Sequence, residues 1–204
     1  MVEGVDYSIE PAEAGWKWFV NNYHGYRFKF PEDWNIDLDL YDEEIGEETE
    51  SPDYVSIDEP EHGESSGFFG VEVITREKMK EYLKQVNMKV DMNRYDRQLF
   101  AKSEIEDDVA HKCHQDFELL EYKNISLDGV PSTLTICTYT YIPSSTHDHP
   151  EDKDKDMILL IYPEEIRGKI YLVSYIASRP LDRADRLTEN LPTAMKMIGS
   201  FEFI

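Results

Sequence analysis

Between Gly25 and Leu40 the side chains alternate with a period of two, and this constrains the fold more than anything else in the chain. Tyr26, Phe28 and Phe30 fall on one side, Arg27 and Lys29 on the other. After Pro31-Glu32-Asp33 the alternation restarts, with Trp34, Ile36, Leu38 and Leu40 set against Asn35, Asp37 and Asp39. Successive side chains of a strand point to opposite faces, so this pattern belongs to half-buried strands whose apolar side must be covered. Pro31 cannot donate to a sheet ladder, and Pro-Glu-Asp is good turn material. The stretch is expected to be two strands joined at a turn, with its aromatics in a core.

The same period recurs. Strands are expected at Tyr54–Asp58, at Phe68–Thr75 with Phe69, Val71 and Val73 on one side, and at Gln115–Lys123, Thr133–Ile142, Met157–Tyr162 and Lys169–Ala177. Asp128-Gly129 and Arg167-Gly168 mark hairpin turns within the later strands. Three segments change period. Glu10–Asn22 places Trp16, Phe19 and Val20 at helical spacing. Glu77–Val90 does so with Met79, Tyr82, Leu83, Val86 and Val90, and continues kinked or restarted through Arg94–Phe100. Ala184, Leu187, Leu191, Ala194 (or Met195) and Ile198 form a terminal helical pattern that Pro192 breaks in two. Ser200–Phe203 is left for an edge strand. Strands linked by hairpins, with helices between runs of strands, predict an α+β domain with an antiparallel central sheet flanked by helices. At 204 residues the chain suits a single domain.

Charge is the most extreme bulk property. With 43 acidic and 21 basic residues the formal charge is −22, which repels phosphate backbones and anionic membrane alike. Nucleic acid is therefore excluded as a partner, and no apolar run reaches the ~20 residues needed to span a bilayer. From Glu32 to Glu64 there are 15 acidic residues and no Lys or Arg. Its middle, at about 41–53, is expected to be a surface loop, and a polar insertion is expected at about 143–156. The N-terminus has neither the basic nor the apolar region of an export signal, so the chain as written reads as cytoplasmic; a removed signal would make it extracytoplasmic. Oligomeric state is left open.

These residues resemble the PsbP-like fold family: GYRFKFPEDWNI near the start, the long middle helix, SLDGVPSTLTICTYTY, and MKMIGSFEFI at the end. That family includes the photosystem oxygen-evolving subunit, bacterial lipoproteins, and an import factor that binds the Ran GTPase. The resemblance implies an α/β/α sandwich and a role as a binding or assembly module. It carries over no catalytic residue, because the family has no common catalytic set. The chain departs from the pattern in its acidic loop, its 143–156 insertion and its lack of a visible export signal.

Four motifs bear on chemistry. Gly63-Glu64-Ser65-Ser66-Gly67 matches G-x-S-x-G, but a nucleophile elbow needs a strand before the serine and a helix after it. Here an acidic loop precedes Ser65 and a strand is expected to follow. His111-Lys112-Cys113-His114 offers soft ligands, with Cys137 able to join if it is registered with Cys113 across a hairpin. The same two cysteines allow one disulfide, although buried thiols are the simpler reading. His147, Asp148, His149, Asp152, Asp154 and Asp156 could ligate a divalent cation. Asp152, Asp154 and Asp156 follow EF-hand spacing, yet Met157 stands where that loop needs glycine and Pro163 where it needs glutamate. Asn124-Ile125-Ser126 is a sequon, relevant only in a glycosylating compartment. The leading expectation is a non-enzymatic module that binds a protein partner and needs no cofactor. The alternatives are a cation-handling domain built on residues 147–156 and a small serine hydrolase centred on Ser65.

Overall fold

The computed structural model describes residues 6–42, 47–50, 53–60, 66–75, 114–141 and 154–204. Two antiparallel sheets enclose one core. The smaller contains β1 (Tyr7–Pro11), β2 (Trp16–Asn21), β3 (Tyr26–Pro31) and β13 (Glu202–Phe203), in the order β1-β2-β3-β13. The larger runs β4-β7-β8-β12-β11-β10-β9. Its strands are β4 (Asn35–Asp37), β7 (Tyr54–Asp58), β8 (Ser66–Thr75), β9 (His114–Leu127), β10 (Val130–Tyr141), β11 (Asp154–Pro163) and β12 (Lys169–Pro180). A 3₁₀ stretch at Leu181–Arg186 and the helix α1 (Leu191–Gly199) follow β12. Among the described residues the fold is thus a strand-dominated α+β.

Aromatic residues from the small sheet fill the centre. Phe19, Tyr26, Phe28 and Phe30 pack with Phe69, Val71, Tyr171, Val173 and Tyr175 of the large sheet and with Met197 and Phe201 beyond β12. The Tyr26 and Phe28 rings each stack nearly parallel with Phe201, at 5.4 and 6.2 Å. The Ser-Phe terminus therefore closes the core, and β13 is the expected edge strand, paired with β3. Both hairpin turns adopt left-handed backbone: Asp128 and Gly129 have φ of 46° and 80°, Arg167 and Gly168 52° and 81°, a conformation that glycine and aspartate tolerate and that the turn imposes on Arg167. Pro192 sits in the first turn of α1, where its missing N–H costs nothing.

Three expectations are corrected. Glu10–Asn22 is not a helix: β1 and β2 form a hairpin in which Phe19 lies opposite Ile9 and Phe28. Over so short an apolar run periodicity cannot separate helix from strand, and Trp-Lys-Trp-Phe-Val favours the pleated surface once β3 is there to pair with it. The turn at Pro31 does not make a hairpin either. β3 belongs to the small sheet, whereas β4 pairs with β7 in the large one, so the turn carries the chain from one sheet to the other. The acidic segment, finally, is no simple loop. β5 (Asp39–Asp42) and β6 (Glu47–Glu50) pair antiparallel, with Asp39 opposite Glu50 and Asp42 opposite Glu47. The helical pattern at Glu77–Val90 and Arg94–Phe100 lies outside the described residues.

Candidate functional site

The outward side of the small sheet carries the most distinctive surface. Trp18 lies directly opposite Lys29 on β3 and opposite Glu10 on β1. The Arg27 guanidinium sits 4.5 Å and the Lys29 ammonium 4.9 Å from its ring centre. Lys196 of α1 lies 3.7 Å from the ring centre of Trp16. Glu13, in the β1–β2 turn, pairs with Lys29 at 2.6 Å and with Lys196 at 3.7 Å. The Lys29 hydrogen bond, first among the causes, holds the Glu13 carboxyl below its usual range. Arg27 donates to Glu202 at 2.7 Å. Two hollows open to solvent adjoin Glu13: one of about 410 Å³ beside Trp18, Lys29, Lys196 and Glu202, and one of about 340 Å³ beside Ile9, Trp16 and Glu32.

Two further polar clusters lie deeper. The His24 imidazole is mostly buried and bonds to Asp53 through Nε2 at 2.9 Å and to Lys169 through Nδ1 at 3.0 Å. A lysine can only donate, so Nδ1 accepts and the proton sits on Nε2. The Tyr171 hydroxyl donates to the His24 carbonyl. In the second cluster Glu59 accepts from Tyr175 at 2.5 Å through Oε1 and from Arg179 at 2.9 Å through Oε2. Burial, reinforced by Glu59, pushes the Tyr175 phenol well above its ordinary value, so it stays protonated and donating.

His147, Asp148, His149, Asp152, Ser65, His111 and Cys113 lie outside the described residues. Asp154 and Asp156 are not on a loop. They open β11 and pair on both sides, Asp156 opposite Tyr139 and Ser178, because neighbouring strands draw the Asp-Lys-Asp run into the sheet. Cys137 is buried opposite Leu119 and Ile158, so the register does not place it against Cys113. His114 opens β9 opposite Tyr141. Ser66 and Gly67 begin β8, which gives the Ser65 motif a strand where an elbow needs a helix. Gly67 has a structural reason to be glycine: a Cβ there would lie 2.5 Å from the Glu59 carboxyl. Among the described residues, no group of three or more His, Cys, Asp or Glu could hold a metal ion.

Motif reading passed over the Trp18 face and both buried clusters. The face had a signal, since Trp16 and Trp18 share one side of β2 once it is read as a strand, and Trp18 then falls opposite Lys29 of β3. The buried clusters had none, because His24 and Lys169 are 145 positions apart and Glu59 and Arg179 are 120 apart.

No family model matches the chain, and no curated protein matches it by sequence. Solved structures do. The solution structure of cyanobacterial PsbP (CyanoP) from Synechocystis sp. PCC 6803 matches with a TM-score of 0.51 over 95% of each chain, at 15% identity. The fold is PsbP-like. LpqN, described as involved in cell envelope biogenesis of Mycobacterium tuberculosis, matches over 97% of this chain and 90% of its own, at 10% identity and a TM-score of 0.43. A protein of unknown function from Pseudomonas aeruginosa matches at 10% identity and a TM-score of 0.41, over 93% and 94% of the two chains. The likeness to cyanobacterial PsbP is one of fold. At these identities it transfers no residue roles.

Proposed function

We propose that the protein is a non-enzymatic binding or assembly module that engages a protein partner through the outward face of its small sheet. The observation that supports this is Trp18, clasped by Arg27 and Lys29 and set beside an open hollow. Tryptophan and arginine anchor many protein interfaces, whereas small-molecule sites are enclosed. Arg27, Lys29 and Lys196 are balanced on this face by Glu202 and Glu13, so a partner meets paired charges here rather than the unrelieved negative charge of the chain as a whole. The test is chemical crosslinking and co-purification from the native cells. Trp18→Ala combined with Arg27→Ala should abolish a stoichiometric partner while leaving the melting temperature almost unchanged, since exposed cation–π contacts contribute only ~0.5 to 1 kcal/mol. A partner retained by the variant sinks the assignment of this face.

The finer architecture belongs to the same proposal: an α/β/α sandwich, with the second face of the large sheet covered by a helix. Cys137, Tyr139 and Ile158 are buried on the side of the sheet away from the main core, packed with Leu160 and Ile176. No described helix packs on this cluster, and the amphipathic pattern of Glu77–Val90 supplies a matching apolar face. Leu83→Asp should therefore lower the melting temperature clearly, and Gln85→Asp, on the polar side of the same pattern, should not. Equal effects would refute the placement.

Cation handling through residues 147–156 is separated from simple charge screening by melting curves. In a chain with 43 acidic residues the carboxylates repel one another over distances comparable to the ~10 Å screening length of 0.1 M salt. Sodium chloride should raise stability between low and moderate ionic strength and then level off. Calcium or zinc at matched ionic strength should add nothing. A larger gain, abolished by His147→Ala with Asp152→Ala, would establish the cation reading instead.

A further inference from the structure

The large sheet ends on β9, and among the described residues no strand pairs with its far side. β9 is 14 residues long, and an edge of that length presents a row of backbone donors and acceptors that proteins normally blunt. Only the first half of β9 is blunted. Its register with β10 slips between Ile136 and Cys137 and again between Thr138 and Thr140, and Asp116 takes a φ of 54°. From Glu121 to Leu127 the pairing with β10 runs without a slip. At the junction of the two halves three large apolar side chains are exposed: Leu119 at 50%, Leu120 at 49% and Tyr122 at 43%. Acidic side chains rim them. Asp116 and Glu118 are exposed, and Glu121 pairs with Lys123 at 2.7 Å. An apolar patch with a charged rim marks an interaction surface.

We propose that the regular half of β9 is a strand-addition site for an extended partner segment that alternates apolar and basic residues. Main-chain hydrogen bonds along Glu121–Leu127 would supply affinity and register, and the Leu119–Tyr122 patch would receive the apolar side chains. Charge selects the basic residues. Asp116, Glu118 and Glu121 outnumber Lys123 on this strand, within a chain of net charge −22. A second copy is disfavoured as the occupant, because it would bring like charges together across the same edge. The site stands on a different sheet from Trp18 and does not depend on that face.

The probe is a fluorescent, capped peptide, Lys-Val-Lys-Ile-Lys-Val-Lys, titrated by anisotropy into the full chain. Binding should saturate, and hydrogen exchange should slow at residues 121–127. N-methylation of alternate peptide amides should weaken binding tenfold or more, because it removes donors without changing charge. Leu120→Lys with Tyr122→Lys, both at exposed positions, should weaken it to a similar degree. The proposal is overturned if a Lys/Gly peptide of the same charge or the N-methylated peptide binds equally well. It is also overturned if protection appears elsewhere, or if no saturation is reached by ~1 mM, the limit of millimolar affinity. A dimer in sedimentation that Leu120→Lys dissolves would assign the edge to a second copy and overturn the basic partner.

Discussion

Arg179→Met should cost about 3 to 5 kcal/mol in urea denaturation, the usual penalty for breaking one half of a buried ion pair. The Arg179 and Glu59 side chains are only 4% and 6% exposed, and their atoms meet at 2.9 Å. Removing the guanidinium leaves the Glu59 carboxylate in the core with Tyr175 as its remaining described donor, and the Tyr175 hydroxyl alone does not offset a buried charge. Glu59→Leu combined with Arg179→Met should recover most of that loss, since replacing both members of such a pair with apolar groups is often neutral. The double variant separates an ion-pair effect from lost packing of the long arginine stem. A single variant that melts like the wild type would mean that the pair contributes nothing to folding.

Trp34→Ala should cost a similar ~3 to 5 kcal/mol, the range for deleting a buried aromatic ring. Trp34 is 7% exposed and belongs to the main core, just where the chain leaves the small sheet and enters the large one. Its N–H bonds to the Pro31 carbonyl at 3.2 Å, closing the turn that makes this passage. The loss should appear as a shifted denaturation midpoint with an unchanged slope, because the ring fills volume rather than setting the unfolded state. Wild-type stability in this variant would return the stretch from Tyr23 to Ile36 to consideration as a ligand site.

Much of the fold was legible because it rests on local rules. Period-two alternation marked β3, β7, β8, β10 and β12, for a strand with one buried face must alternate whatever it pairs with, while the unbroken apolar run Met157–Tyr162 marked β11, which is buried on both faces. Asp128-Gly129 and Arg167-Gly168 marked their hairpins because each supplies a glycine for the positive φ that the turn requires. Pro192 split the terminal pattern because it cannot donate within a helix. Where local rules conflict they failed. Trp16, Phe19 and Val20 satisfy a helix and a strand equally well, and only pairing with β3 decided between them. The two halves of the opening stretch look like one hairpin, yet β4 pairs with β7, a choice made by burying Trp34 and Ile36 against the large sheet rather than by the turn.

The candidate sites divide along the same line. By itself the sequence determined the acidic field, the strand-rich α+β class, and the strand that follows Ser65 where a nucleophile elbow needs a helix, since each follows from composition or from neighbours within a few positions. Tertiary structure alone decided which polar side chains meet. Glu59 with Arg179, His24 with Lys169 and Arg27 with Glu202 are joined across 120, 145 and 175 positions. Contacts of that range depend on the order and register of strands in two sheets. Register is set by the summed burial of whole faces, and no single stretch of the chain encodes that sum.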